Sequence, residues 1–241
     1  MRLLAFSRRN VQEIIRDRVN LFFGLAFPLI LLFLLQLIQR NIPVDLFAIG
    51  RLAPGIAVFG LSFMTLFSAA LIARDRGSAL QQRLYTTPMT AADFILGYTL
   101  PILPLCLLQT AICLLVSLAM GLPLSVRWIG ALLASLPTAV FYIALGLLFG
   151  SMLNEKQVGG ICGALVTNLS AWLSGVWFDL GLVGGIFEKV ARLLPFVHAV
   201  ELERAALNGG AILPHLAWVS GYAVITLIAA GALFLRQMKK Q

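Results

Sequence analysis

Read for Asp, Glu, Lys and Arg alone, the chain falls into six long charge-free intervals: 19–39, 52–73, 94–126, 128–154, 157–178 and 205–235. Each exceeds the ~20 apolar residues that cross ~30 Å of hydrocarbon at ~1.5 Å per residue. A charge at a helix centre costs roughly 2.5–3.5 kcal/mol on insertion scales, so a bilayer accounts for gaps of this kind. The pattern predicts six transmembrane helices, at about 20–39, 52–73, 95–120, 128–153, 158–178 and 214–235. They would form one all-α transmembrane domain over residues 1–241, since helices satisfy their backbone internally and strands of alternating polarity are absent.

Between and before these intervals the pattern changes character. Residues 2–19 place Leu4, Val11, Ile15 and Val19 on one helical stripe beside Arg8, Arg9, Arg16 and Arg18, which predicts an amphipathic helix on the membrane surface. After helix 2, Ser78 caps a short helix with Leu80 and Leu84 on one side, and Thr87-Pro88 stops it. Thr90-Ala-Ala-Asp93 then reads as a capping box that starts helix 3. In segment 179–213, Ile186, Phe187, Val190, Leu193 and Leu194 oppose Glu188, Lys189 and Arg192. Pro195 breaks that pattern before a second piece, 197–207, so two short amphipathic outer helices, at the interface or re-entrant from it, precede helix 6. Gly146/Gly150 and Gly159/Gly163 are small-xxx-small pairs that suit close helix approach, within the chain or between copies.

Charge sets the expected orientation. The side holding both termini carries Arg2, Arg8, Arg9, Arg16, Arg18, Arg74, Arg76, Arg83, Lys156, Arg236, Lys239 and Lys240. The other side carries half as many: Arg40, Arg51, Arg127, Lys189, Arg192 and Arg204. By the positive-inside rule both termini are cytoplasmic, and Trp128, Trp177 and Trp218 fall at the opposite helix ends, as an interfacial aromatic belt requires. The expected location is a cell membrane, crossed several times.

Composition agrees: 60% of residues are hydrophobic and 12% charged, about half the charged share of a soluble domain. The net charge of +8 is concentrated at membrane ends, which points to anionic lipid headgroups and not to nucleic acid. Cys106, Cys113 and Cys162 lack the spacing of a disulfide framework or a zinc site. No phosphate-binding loop occurs, not even a Gly-Lys dipeptide, so no ATPase activity of the chain itself is expected. No acidic residue or Lys falls mid-span, which disfavours proton coupling. A membrane-embedded enzyme is the alternative, with Ser174 meeting His198 or His215, although the Gly-x-Ser-Gly pattern of rhomboid-like proteases is missing. A secondary transporter is another. No catalytic, cofactor or metal residue is assigned. Polar residues inside the spans, chiefly Gln109, Thr167, Asn168 and Ser170, are candidates to line a path or to hold helices together.

Three stretches carry a family resemblance: "RRNVQEIIRDRVNLFFGLAFPLI", "RDRGSALQQRLYTTPMTAADFILGYTLP" and "LLPFVHAVELERAALNG". With the six-helix layout they resemble the permease subunit of type-2 ABC exporters. The resemblance implies a coupling helix over residues 75–86, with Arg74, Asp75, Arg76, Leu80, Arg83 and Leu84 facing a separate nucleotide-binding ATPase subunit that holds ATP and Mg2+. It also implies a second permease chain, paired through helices 1 and 5, and outer helices shaping an exit for drugs, lipids or polysaccharides. Two departures stand out: Ala73 occupies a place where an acidic residue is frequent, and Gly77 to Pro88 is longer than usual.

Overall fold

A computed structural model of the chain describes residues 2–77 and 90–238. Among the described residues the fold is all helical. Helix α1 (Arg2–Arg16) precedes α2 (Arg18–Gln39), α3 (Ile49–Arg76), α4 (Ala91–Ala119) and α5 (Arg127–Met152). Helix α6 follows as three consecutive pieces, Glu155–Val158, Gly159–Val166 and Thr167–Leu173. Then come α7 (Leu180–Val183), α8 (Gly185–Leu193), α9 (Pro195–Asn208) and α10 (Ile212–Met238).

Five of these, α2, α3, α4, α5 and α10, are long and apolar enough to cross a membrane. The interval expected to hold the fifth of six spans, 158–178, behaves differently. Its helix begins at Glu155, ends at Leu173 and gives way to a turn, with Gly175 at φ +69°. Absence of charge alone does not make 158–178 uniformly apolar, because Asn168, Ser170 and Ser174 also lie in it.

Helix α3 is the axis of the bundle, buried almost without interruption from Leu52 to Asp75. Its tightest neighbour is α5, and the Gly146/Gly150 pair explains why. A Cβ at Gly146 would fall on Ser68 Oγ and 2.5 Å from the Thr65 carbonyl; one at Gly150 would lie 2.7 Å from the Ala69 carbonyl. Bare backbone at those positions lets Thr65 Oγ1 donate to the Tyr142 carbonyl at 2.9 Å and Ser68 Oγ to that of Ile143 at 3.3 Å. Such bonds and close contacts substitute for the hydrophobic drive that lipid does not supply. The pair therefore serves packing within the chain. Gly163 meets Leu66 of α3, whereas Gly159 faces nothing within 4 Å among the described residues.

Local signals hold where they are described. Thr90 Oγ1 accepts from Asp93 N at 3.1 Å while Asp93 Oδ2 accepts from Thr90 N at 3.0 Å, the reciprocal box expected at the start of α4. The short helix expected after Ser78 lies outside the described residues.

Two elements gain detail. The stripe on α1 expected to face the membrane surface is exposed at Val11 and Ile15, while Phe6, Asn10 and Ile14 turn toward the bundle. Their spacing of four was masked by the more apolar stripe beside it. The pair α8–α9 packs back against the bundle, the re-entrant alternative of the two expected for it. Tyr222 Oη, ten residues into α10, donates to the Leu193 carbonyl at 2.9 Å, and Phe196 packs on Phe141 near the middle of α5 at 6.0 Å. The other end of α9 is pinned where α3 and α5 begin, with Asn208 Nδ2 on the Gly50 carbonyl (2.8 Å) and Arg127 Nη1 on the Asn208 carbonyl (2.7 Å). The turn at Leu194 thus dips about halfway along α5, forming a re-entrant hairpin. We call the end bearing Arg127 and Asn208 distal, and the end bearing Arg74–Gly77 proximal.

Candidate functional site

At the proximal end of α3, three consecutive charged residues reach three different parts of the fold. Asp75 is buried, its Oδ2 2.6 Å from Arg9 Nη1 of α1 and 2.8 Å from the Tyr98 hydroxyl of α4. Arg74 spans Asp17 Oδ2 (3.3 Å), at the joint between α1 and α2, and Glu155 Oε1 (3.2 Å), at the start of α6. Arg76 Nη1 donates to the carbonyls of Gly150 (3.0 Å) and Leu153 (3.2 Å), satisfying backbone groups that the end of α5 leaves without helical partners.

The contacts are unequal in energy. Arg74 is nearly half exposed, and its ion pairs are worth about 0–1 kcal/mol. Asp75 is fully enclosed, so losing its partners costs on the order of 3–5 kcal/mol. Burial works against the charge on Arg9, but the hydrogen bond and charge of Asp75 outweigh it and hold the guanidinium above its ordinary pKa.

Helix α1 is fixed there by more than charge. Asn10 Nδ2, fully buried, donates to the Gly97 carbonyl at 2.9 Å, and the Phe6 ring packs edge-on to Tyr98 at 5.0 Å. Phe6 sits directly over Gly97, where a Cβ would overlap its ring. Gly97→Ala is therefore expected to lift α1, exposing the bonds after Arg8, Arg9 and Arg16 to trypsin several-fold faster than in the wild type. Equal cleavage rates would show that α1 does not depend on this contact.

Of the residues singled out in the sequence, Arg74, Asp75, Arg76 and Arg9 come together here. Leu80, Arg83 and Leu84 lie outside the described residues. Arg8, Arg16 and Arg18 are exposed, Arg16 with Glu13 at 4.0 Å. The sequence reading missed Phe6, Asn10, Gly97 and Tyr98. The four-residue spacing of Phe6, Asn10 and Ile14 was the available signal for α1.

The polar residues of the spans divide as well. Thr167 and Asn168 line a cleft of about 410 Å³ between α2, α3 and α6, walled by Phe23, Phe27, Phe59, Phe63, Trp172 and Trp177. Both side chains bond back to their own helix, Thr167 Oγ1 to the Gly163 carbonyl (2.6 Å) and Asn168 Nδ2 to that of Ala164 (2.8 Å). Ser170 instead binds the Tyr142 hydroxyl, and Gln109 Nε2 donates to Cys113 Sγ at 3.3 Å, so these two act between or within packed helices. Ser174 Oγ donates to the Ala171 carbonyl at 3.2 Å, while His198 Nδ1 is 3.0 Å from His215 Nδ1 and its Nε2 2.9 Å from the Arg192 carbonyl. Neither histidine is positioned by the serine as a catalytic pair would require.

Residues 1–208 match the family described as ABC-2 type transporter. The chain belongs to that family. It is also similar, at 24% identity over 98% of this chain and 90% of the other, to "Nodulation protein J" of Sinorhizobium fredii (strain NBRC 101917 / NGR234). For an ABC-2 membrane component, the three-way junction at Arg74–Arg76 lies within a stretch that carried the resemblance, and so does α9 with the turn before it.

Proposed function

We propose that this chain is the permease subunit of an ATP-driven exporter, worked by a separate nucleotide-binding ATPase that docks at the proximal junction. The observation that carries this reading is the buried Asp75, which ties the end of α3 to α1 and α4 while its neighbours tie it to α5 and α6. A push delivered there reaches every one of those helices at once. Movement between inward- and outward-facing arrangements is then a rigid-body change biased by the partner's nucleotide state. ATP and Mg2+ belong to that partner; this chain holds no cofactor.

In this reading α6 completes six crossings, both termini are cytoplasmic in a prokaryotic plasma membrane, and Arg8, Arg16 and Arg18 face anionic headgroups. Two permease chains pair through α2 and α6, leaving the aromatic cleft beside the pathway. Both helices contain wide π-helical turns that border the cleft, Phe22–Ala26 and Gly159–Val166. Such turns recur at functional sites. The aromatic walls with Thr167 and Asn168 suit a cargo with an apolar body and a hydrogen-bonding group. The nodulation protein likeness leaves the cargo otherwise open.

The purified chain alone is expected to hydrolyse no ATP and to co-purify with an ATPase encoded beside it. Cysteine at Leu169, exposed on α6, is expected to cross-link two chains in membranes. Failure to recover an ATPase removes the docking reading; cross-links absent under conditions that trap a control pair remove the dimer.

A further inference from the structure

Glu203 is the one described acidic residue that the fold encloses with neither carboxyl oxygen hydrogen-bonded, among the described residues. Its place can be fixed by its neighbours. Ala53 of α3, Leu114 of α4, Ala131 of α5 and Ala206 and Leu207 of α9 pack in one distal cluster with Leu122. One helical turn deeper on each helix stand Ala57, Thr110, Ser135 and Glu203, all buried. The Thr110 hydroxyl also has no hydrogen-bond partner there, and neither does that of Thr138, a further turn along α5. Helices α4, α5 and α9 therefore bring the hydroxyls of Thr110 and Ser135 and the acid of Glu203 to one level beneath the distal cluster, with Thr138 a turn below.

Among the described residues, no charge compensates the acid. On its own helix, Arg204 points elsewhere, to Glu201 (2.9 Å) and to the carbonyls of Gly175 and Arg51. On α3, Arg51 lies 3.8 Å from Asp179. On α5, Arg127 is held at Asn208. On α10, His215 and Tyr222 are engaged with His198 and the Leu193 carbonyl, and on α8 Arg192 pairs with Glu188. Cys113 of α4 accepts from Gln109. Burial alone acts on Glu203 and pushes its carboxyl well above the usual carboxylate range. An ionised carboxylate in such a place would cost several kcal/mol.

We propose that Glu203 is a proton-binding site, loaded while α9 is packed between α3 and α5 and emptied when that helix separates and water reaches the carboxyl. The step breaks one O–H bond, leaves its electron pair on the carboxylate and passes the proton to water. A charge-free reading of the spans argued against proton coupling; the acid enters the interior on a re-entrant helix instead. The packed state carries the raised pKa and the opened state an ordinary one of about 4.3. Between those two values the packed state holds one proton more, so opening releases a proton and is favoured as pH rises. The linkage for one proton is about tenfold per pH unit. Below the ordinary value both states are protonated and the dependence ends.

The test uses the full chain in lipid nanodiscs and needs no ATPase, so it is independent of the partner proposed above. Infrared titration with isotope-labelled glutamate is expected to show one protonated glutamate at neutral pH, absent in Glu203→Gln. Spin labels at Leu124 and Gly210, both exposed at the distal end, are expected to report an open fraction that rises about tenfold per pH unit in the wild type and stays flat in Glu203→Gln. A fully ionised set of glutamates at neutral pH in the wild type overturns the proposal even if the variant does not fold. An unchanged pH response in a folded Glu203→Gln chain overturns it as well.

Discussion

Asp75→Ala is expected to destabilise the chain by about 3–5 kcal/mol and to abolish stimulation of a co-purified ATPase, whereas Asp75→Asn, which keeps the shape and loses the charge, should cost less. The order follows from where Asp75 sits. It is enclosed, and it receives hydrogen bonds from both Arg9 and Tyr98 on two different helices. Truncation to Ala removes an acceptor from the Tyr98 hydroxyl, itself buried, and leaves the half-buried Arg9 guanidinium without that carboxylate. Asparagine keeps a carbonyl oxygen for one of them. A double-mutant cycle with Arg9→Gln separates the pair from its surroundings: a coupling energy of about 1–3 kcal/mol is expected. Unfolding in mixed micelles supplies the free energies. Additivity of the two single changes within about 0.5 kcal/mol would mean that Arg9 and Asp75 do not act together, and α1 would lose this tie to α3.

What could be read ahead of the structure was what is local. Thr90 and Asp93 are three residues apart, and their bonds follow from spacing alone. The helical character of the long apolar runs is of the same kind. Features that depend on distant partners were illegible. Asn10 looks like a solvent-facing residue of a basic helix until the Gly97 carbonyl, far along the chain, claims it. Glu203 sits among Glu201 and Arg204 in what reads as a polar interfacial segment. Only the depth of the α8–α9 turn, set by Tyr222 at Leu193, carries it inside. The candidate site was half visible: Arg74–Arg76 declared themselves as charge where charge is rare, but their destinations on α1, α4, α5 and α6 did not.

Gly146→Leu and Gly150→Leu are expected to be the most damaging single changes on the lipid-embedded bundle, and Gly159→Leu to be tolerated. All three are glycines on helices, so intrinsic propensity favours the substitution at each by roughly 1 kcal/mol. Packing reverses the sign at the first two. Their added Cβ would meet backbone of α3, the Thr65 carbonyl at 2.5 Å and the Ala69 carbonyl at 2.7 Å, which no rotamer change relieves. Helices α3 and α5 would have to separate, breaking the bonds from Thr65 and Ser68 to α5 carbonyls and drawing the ends of α5 away from Arg76. Overpacking of a tight contact costs about 1–3 kcal/mol, and the lost interhelical hydrogen bonds add roughly 0.6 kcal/mol each. Gly159 meets nothing within 4 Å among the described residues, so its side chain has room beside them. Detergent unfolding and the yield of folded protein measure the contrast. If Gly146→Leu proved as stable as Gly159→Leu, the α3–α5 contact would be loose enough to slide, and a push at Asp75 could not travel along α3 to the distal hairpin as a rigid displacement.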